Sequence, residues 1–180
     1  MSMERQQGFT LVELLITIVV ISILLATAVP SFMQAIKNNR VAGQANSLVV
    51  SMQVARNEAV KRGVSTIICA ANADMDACSG NNDWSTGWIV FSDLNRNGAI
   101  NAGTGACLDT EDCLLGTVNG PEMSTVTAGN SDIRFLPTGQ TANGPLTLTL
   151  KANDCQHQQE RSIIITLQGH TTVTQHACTP

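Results

Sequence analysis

The chain has 180 residues, which is enough for one membrane anchor and one globular domain of ordinary size. Its net charge is −4, and the charges are unevenly distributed along the chain. Residues 31–62 carry five basic side chains and one acid, Glu58, whereas residues 63–180 carry four basic side chains and eleven acids. Because nucleic-acid affinity depends on Lys and Arg neutralising phosphates, the acidic C-terminal part argues against phosphate-backbone binding there. The sequence contains no G-x-S-x-G, P-loop or H-E-x-x-H motif, so we predict neither an enzyme nor a cofactor.

A polar leader of eight residues precedes an apolar run from Phe9 to Val29, in which Glu13 is the only formal charge. A helix needs roughly 20 apolar residues to cross the hydrocarbon core, so this run is long enough. A carboxylate at mid-membrane costs on the order of 2.5–3.5 kcal/mol, so Glu13 requires a partner. Cleavage before Phe9 would create an α-amino cation, with which the acid of a neighbouring copy could pair.

An ordinary secretory signal peptide is the alternative interpretation of this segment. Residues 26–28 form an A-x-A site and residues 11–25 could serve as the apolar region, which would release a soluble protein beginning at Val29. The charges of both signs in the leader and the presence of Glu13 count against it. We therefore predict a retained anchor.

Beyond Pro30 the helix is expected to resume as an amphipathic stem. Apolar or small residues recur at helical spacing, namely Ile36, Val41, Ala45, Leu48, Met52, Ala55 and Ala59. Lys61 and Arg62 suit the negative end of the helix dipole, and Gly63 is a natural stop. We predict one helix from Phe9 to Arg62, about 80 Å long at 1.5 Å per residue. Its first half is apolar all round, and its second half has one buried face.

After Gly63 the signals change to those of strands. Strands are predicted at residues 64–70, 88–91, 133–135, 146–150, 162–167 and 171–174. Residues 146–150 alternate, which predicts one buried and one wet face, and residues 168–170 predict a tight hairpin. Segments 71–86, 93–112 and 119–131 are rich in Gly, Asn, Asp and Ser and predict surface loops.

Six cysteines all lie beyond residue 68, at Cys69, Cys78, Cys107, Cys113, Cys155 and Cys178. An even number beyond a membrane segment suggests an oxidising compartment and disulfides. The sequence leaves 15 pairings open. Proximity along the chain favours the pairs Cys69–Cys78, Cys107–Cys113 and Cys155–Cys178.

The octet Gly8-Phe9-Thr10-Leu11-Val12-Glu13-Leu14-Leu15 closely resembles the processing site of type IV pilins and type II secretion pseudopilins. The resemblance implies that a prepilin peptidase cuts between Gly8 and Phe9 and methylates the Phe9 amine. It also implies that Glu13 registers the subunit in a filament, and Pro30 matches a proline of these families. The implied organisation is a leader at 1–8, a transmembrane and filament-core helix at 9–30, a stem at 31–62, and a β-rich periplasmic or extracellular head at 63–180.

Further matches resemble the GspH/FimT family of minor pilins and pseudopilins. They comprise residues 55–62, Cys69, Cys78, Trp84, residues 87–93, residues 133–135 with Gly139, and the pair Cys155 and Cys178. The resemblance implies an α+β, type IV pilin-like fold, in which a long N-terminal helix packs on an antiparallel β-sheet head with disulfides. Implied partners are other minor pilins, the major pilin, the prepilin peptidase, the inner membrane and its assembly platform.

The implied function is that of a structural minor pilin that primes or caps a type IV pilus. Such a subunit sits in the inner membrane by a single pass, with its head in the periplasm, and then reaches the pilus surface. One alternative is a GspH-type minor pseudopilin of type II secretion. Another is a DNA-binding FimT-type pilin, but the G-R-x-R motif of such relatives is replaced by residues 169–172, Gly-His-Thr-Thr. Nucleic acid is therefore not an expected partner, and the stem cations are expected to face neighbouring subunits or lipid headgroups.

Two segments could hold a metal. Asp93, Asn95 and Asn97 copy the first half of a calcium loop, but the twelfth position is Thr104 rather than Glu, so a metal-free turn is the default. The Cys155-x-His157 and His176-x-Cys178 pairs could form a zinc set, although an oxidising compartment favours a disulfide. We therefore predict no metal. The tryptophans, Trp84 and Trp88, are expected to pack in the core against the helix.

Overall fold

The computed structural model describes residues 9–100 and 112–178. The chain divides into two compact units, Met1–Lys37 and Asn38–Pro180. The helix α1 spans Leu11–Arg62. Eight strands follow it: β1 (Thr66–Ala70), β2 (Gly87–Ser92), β3 (Cys113–Asn119), β4 (Ser124–Ala128), β5 (Asp132–Phe135), β6 (Leu146–Ala152), β7 (Glu160–Ile165) and β8 (Thr171–His176).

The strands form two antiparallel four-stranded sheets. The first sheet has the order β3-β2-β1-β5 and the second has the order β4-β6-β7-β8. Strand β6 alternates between buried and more exposed residues, as its sequence predicts. The sequence predicts an α+β chain with a helix on antiparallel sheet, and the structure has this class, with two sheets where one was expected.

The stem part of α1 buries one face of the helix. Its buried residues are Val41, Ala45, Leu48, Ser51, Met52, Ala55 and Ala59, which recur at the predicted spacing. Two residues depart from the prediction. Ile36 is 40% exposed, and Ser51, a polar residue, lies within the buried face.

These helix residues share one large apolar cluster with residues of both sheets. Strands β1 and β2 are buried on both of their faces, because a second cluster fills the opposite side of the first sheet. Ile67, Ile89 and Phe91 belong to that second cluster, against which Met75 of the following loop packs. Burial on both faces explains why these two strands are continuous apolar runs rather than alternating ones.

Strand β4 lies within segment 119–131, so the prediction of a surface loop there was wrong. Its residues are Ser, Thr, Val, Thr and Ala, a composition that resembles a loop. Pairing with β6 and the burial of Ser124 and Val126 make it a strand. Strand β3 was likewise not among the predicted strands.

Candidate functional site

The N-terminus of α1 is capped by Thr10. The backbone N–H of Glu13 donates to the Thr10 hydroxyl oxygen at 3.2 Å, and the N–H of Leu14 donates to the Thr10 carbonyl at 3.2 Å. A Thr followed three residues later by Glu is the sequence signature of a capping box. This signature stands at the start of the apolar run, so Thr10 marks where the helix begins.

Glu13 lies in the first turn of this helix, where a carboxylate also favours the positive end of the helix dipole. Its side chain is exposed and takes part in none of the ion pairs formed within residues 9–100 and 112–178. Phe9 is 87% exposed, and Gly8 lies outside the described residues. The acid is therefore available to a partner that the described chain does not supply.

The helix that follows is long and apolar enough to cross a membrane. Its most apolar 18-residue window has a mean hydropathy of 2.7, and none of that window is buried. The three hydroxyl side chains that follow Thr10 in the run each donate to a carbonyl of the preceding turn, Thr17 to Leu14, Ser22 to Ile18 and Thr27 to Leu24. Because these hydroxyls are satisfied within the helix, they add little cost to burial in an apolar environment.

Pro30 lies inside α1, which continues through it without a break. Proline has no N–H, so the carbonyl of Ala26 loses its usual helical donor. Such a freed carbonyl is tolerated in membrane helices where other groups satisfy it. The predicted resumption of the helix after Pro30 is present in the structure.

Two basic residues of the stem, Arg40 and Arg56, have partners within the second unit. Arg56 donates from Nε to the Gly139 carbonyl at 2.9 Å and from Nη2 to the Gln168 carbonyl at 3.1 Å, which ties the helix to two turns of the head. Arg40 contacts the sulfur of Met123 at 2.9 Å. Arg56 is thus engaged by the head, whereas Arg40 stays exposed, and the expectation that the stem cations face neighbouring subunits or lipid remains a prediction.

The end of the helix carries a small charge cluster. Lys61 and Arg62 both pair with Glu58, three and four residues before them. The hydrogen bond from Arg62, more than any other cause, lowers the pKa of the Glu58 carboxyl below its ordinary value. These two cations are therefore also engaged within the stem.

Both tryptophans are buried and both indole N–H groups are satisfied. Trp88 donates to the Ser51 hydroxyl at 2.9 Å, which explains why a serine lies in the buried helix face. Trp84 donates to the Asn130 carbonyl at 3.2 Å. The tryptophans are core residues, as predicted. Their indole N–H groups also link the helix to β2, and the segment before β2 to the turn before β5.

Two of the three neighbour pairings of cysteines are present. Cys69 is bonded to Cys78 and Cys155 to Cys178. The second bond uses both thiols of the possible zinc set, so that set cannot supply thiolate ligands. Cys107 lies outside the described residues, and none of the described cysteines is free.

The loop that resembles half of a calcium site is held by its own hydrogen bonds. The buried Asp93 carboxylate accepts from the Gly98 N–H at 3.2 Å and pairs with Arg134 at 3.3 Å. The side-chain oxygens of Asn95 and Asn97 each accept a backbone N–H two residues on. Arg134 thus supplies the positive charge next to Asp93. Thr104 lies outside the described residues.

The predicted site residues fall into two groups. Phe9, Glu13 and Pro30 belong to the first unit, whereas the described cysteines and Asp93 belong to the second. The residues that sequence reasoning missed are Thr10, Ser51 and Arg56. Of these, Thr10 had a recognisable signature, while the contacts of Ser51 and Arg56 are long-range and leave no local pattern.

Comparisons with known proteins agree with this geometry. The family model described as Type II transport protein GspH matches residues 44–169, and the model of the prokaryotic N-terminal methylation motif matches residues 3–29. No curated protein sequence gives a significant match.

Among solved structures, the type IV minor pilin FimU of Pseudomonas aeruginosa is similar in two crystal forms. In space group P21 the TM-score is 0.57 at 20% identity, covering 76% of this chain and 89% of that chain. In P65 the TM-score is 0.51 at 19% identity, covering 74% and 91%. The minor pseudopilin EpsH of the Vibrio cholerae type 2 secretion system has a TM-score of 0.48 at 12% identity, covering 77% and 97%. The likeness to FimU confirms the α+β type IV pilin fold.

Proposed function

Because this chain belongs to the GspH family, whose model matches residues 44–169, we propose that it is a minor subunit of a type IV pilus that primes or caps pilus assembly. A member of this family is a type IV minor pilin or a type II pseudopilin, and such a protein is structural rather than an enzyme.

The observation that carries the proposal is the unpaired acid in an exposed apolar helix. Residues 11–25 expose almost every large apolar side chain, and Glu13 lies among them without an ion pair in the described chain. An exposed apolar surface of this size requires a membrane or other apolar helices to cover it. A filament core of packed helices would cover it and would place a terminal amine near each Glu13.

Processing and location follow from the same segment. We propose that the prepilin peptidase cleaves between Gly8 and Phe9 and methylates the new amine, with the methylation motif at residues 3–29 as support. The mature chain would then lie in the inner membrane with its head in the periplasm, before it joins other minor pilins and the major pilin. Disulfides in the head support an oxidising compartment.

A second candidate is a minor pseudopilin of type II secretion. The description of the matching family model, Type II transport protein GspH, favours it. Deletion of the gene separates the two candidates: loss of surface pili with normal secretion supports the pilus subunit, and loss of secretion with normal pili supports the pseudopilin.

The assembly claim is tested by Glu13→Gln. Gln retains the hydrogen-bonding capacity of a capping box but removes the charge, so the helix start is preserved. We expect at least a tenfold drop in the amount of subunit recovered in sheared filaments, with the membrane-bound amount unchanged. The matched control is Glu58→Gln, the same chemical change outside the apolar run. Equal incorporation of the wild type and Glu13→Gln would contradict the proposal.

The processing claim is tested by intact mass spectrometry of the native protein. We expect a chain that begins at Phe9 and carries one additional methyl group. A Gly8→Leu variant should retain the leader and remain in the membrane without entering filaments. A native chain that begins at Val29 would instead establish the secretory-signal interpretation and refute the anchor.

A further inference from the structure

The loop after β2 has the start of a calcium-binding pattern but lacks an acid at the position where that pattern ends. Residues 93–98 read Asp-Leu-Asn-Arg-Asn-Gly, as in the first half of a calcium loop, whereas the twelfth position is Thr104 rather than Glu. The prediction of a metal-free turn depended on that missing acid. In the folded chain a different acid lies next to the same loop.

That acid is Asp112, which directly precedes β3. One of its carboxylate oxygens accepts from the Leu94 N–H at 3.0 Å, and the other lies 3.5 Å from the side-chain amide nitrogen of Asn95. Leu94 and Asp112 are 18 residues apart, so a template of twelve consecutive residues cannot contain both. The missing carboxylate is therefore supplied from outside the sequence pattern.

The pairing of β2 with β3 places Asp93 and Asp112 opposite each other. The last pair of this antiparallel ladder is Ser92 with Cys113, and the next residues outward are Asp93 and Asp112. Like charges directly opposite each other destabilise a sheet. Both acids are buried, with exposures of 0% and 3%, and the repulsion between buried charges is screened only weakly. This arrangement favours a cation close to both carboxylates.

Arg134 contacts only one oxygen of Asp93. Its Nη1 lies 3.3 Å from Oδ2, which also accepts from the Gly98 N–H at 3.2 Å. The other oxygen, Oδ1, is buried and has no hydrogen-bond partner in the part of the chain that the structure describes. A buried polar atom that has lost water without gaining a partner costs free energy. Asp93 Oδ1 is thus the atom that a bound ion would satisfy.

The side chains of this loop offer oxygen atoms as ligands. The side-chain oxygens of Asn95 and Asn97 each accept one backbone N–H, and an amide oxygen has a second lone pair available. Within residues 9–100 and 112–178 no group of three or more His, Cys, Asp or Glu could hold a metal. Carboxylate and amide oxygens suit Ca²⁺, whereas transition metals favour imidazole and thiolate ligands. The chemistry therefore favours calcium.

We propose that this loop binds one Ca²⁺ ion through oxygen ligands. The ligands are Asp93 Oδ1, the side-chain oxygens of Asn95 and Asn97, and the Asp112 carboxylate. The ion offsets the repulsion between the two acids and fastens the loop after β2 to the start of β3. Because the site has two carboxylates and a guanidinium nearby, we expect a dissociation constant of about 10⁻⁴–10⁻³ M, the range of extracellular calcium modules. The site does not involve Glu13, so it is independent of the proposed role of that acid in the filament.

The test is calorimetric titration of the full chain in detergent with CaCl₂, after removal of divalent ions with EDTA. We expect saturable binding of one ion per chain and a melting temperature that rises with calcium concentration. MgCl₂ is the control for ionic strength, and we expect it to bind far more weakly because Mg²⁺ retains its waters and demands octahedral geometry. No saturable heat with CaCl₂, or the same rise in melting temperature with both salts, would overturn the proposal.

Three variants test the assigned ligands. Asp112→Asn keeps an oxygen for the Leu94 N–H but removes the charge, so the dissociation constant should rise about tenfold or more. Asn97→Asp keeps the acceptor for the Ala99 N–H and adds a carboxylate, so the constant should fall about tenfold. The matched control is Asp154→Asn, the same chemical change at an exposed turn whose positive φ Asn tolerates, and it should leave the constant within about twofold.

The two ligand variants are expected to change the affinity in opposite directions, so a general loss of folding cannot imitate the result. Far-UV circular dichroism in EDTA checks that each variant is folded before titration. Equal calcium affinity of Asp112→Asn and Asp154→Asn would remove Asp112 from the site and overturn the proposal. Failure of Asn97→Asp to tighten binding would overturn it as well.

Discussion

The hydrogen bond between Trp88 and Ser51 joins the stem helix to the first sheet, and a double-mutant cycle measures its contribution. Ser51→Ala leaves the buried indole N–H of Trp88 without a partner, which costs about 1–3 kcal/mol. Alanine improves helix propensity by roughly 0.5 kcal/mol relative to serine. We therefore expect Ser51→Ala to lower the free energy of unfolding by about 1–2 kcal/mol.

The partner variant is Trp88→Phe, which removes the indole N–H together with part of the ring. Loss of packing should cost roughly 1–3 kcal/mol. The Ser51 hydroxyl still donates to the Ser47 carbonyl at 3.1 Å, so no buried polar atom is newly orphaned. In the double variant neither partner remains, so replacing Ser51 should then cost almost nothing. The coupling free energy should be about 1–2 kcal/mol.

The assay is urea unfolding of the full chain in detergent, followed by the fluorescence of Trp84, which every variant retains. Far-UV circular dichroism should give the same midpoints if unfolding is two-state. If the double variant loses the sum of the two single variants' losses of unfolding free energy, to within roughly 0.3 kcal/mol, the prediction is refuted. Such additivity would mean that Ser51 and Trp88 do not stabilise the fold through their hydrogen bond.

Three further predictions concern the head. Gly169→Ala should destabilise it by about 1–3 kcal/mol in urea unfolding, because φ is +77° and the added carbon would overlap a carbonyl oxygen of a neighbouring turn. The Ser85 hydroxyl and, after it, the Ser85 N–H lower the pKa of the Asp83 carboxyl. A lowered pKa stabilises the folded state above the ordinary carboxyl pKa of about 3.9, and this stability is lost as the pH falls through the lowered pKa. Asp83→Asn should therefore flatten the acid limb of a stability-against-pH curve. Replacing Cys155 and Cys178 by Ser should cost about 3 kcal/mol of unfolding free energy by loop-closure entropy, whereas equal stability with and without this pair would contradict that estimate.

The local features of this chain were predictable because they depend on neighbours in sequence. The apolar run, the spacing of residues 41–59 and the stop at Gly63 together predicted a helix that the structure ends at Arg62. The signature Thr10-x-x-Glu13 likewise predicts its start, since capping uses atoms only three residues apart. Strand β6 was predictable from its alternation.

Features that depend on distant partners were not predictable in the same way. Strand β4 has the composition of a loop, and only its pairing with β6 makes it a strand. Arg56 would belong to a solvated face by its position in the helix, but it reaches carbonyls 83 and 112 residues away. No window along the chain contains both members of such a contact.

The apolar helix with one acid near its start and the cysteine-rich β head could be inferred from the amino-acid sequence, because hydrophobic length and period are properties of consecutive residues. The division of the strands into two sheets, the hydrogen bond between Ser51 and Trp88, and the position of β8 at a sheet edge become evident in the folded chain. Sheet order and hydrogen-bond direction arise from contacts between distant segments, so they become visible only when those segments are placed side by side.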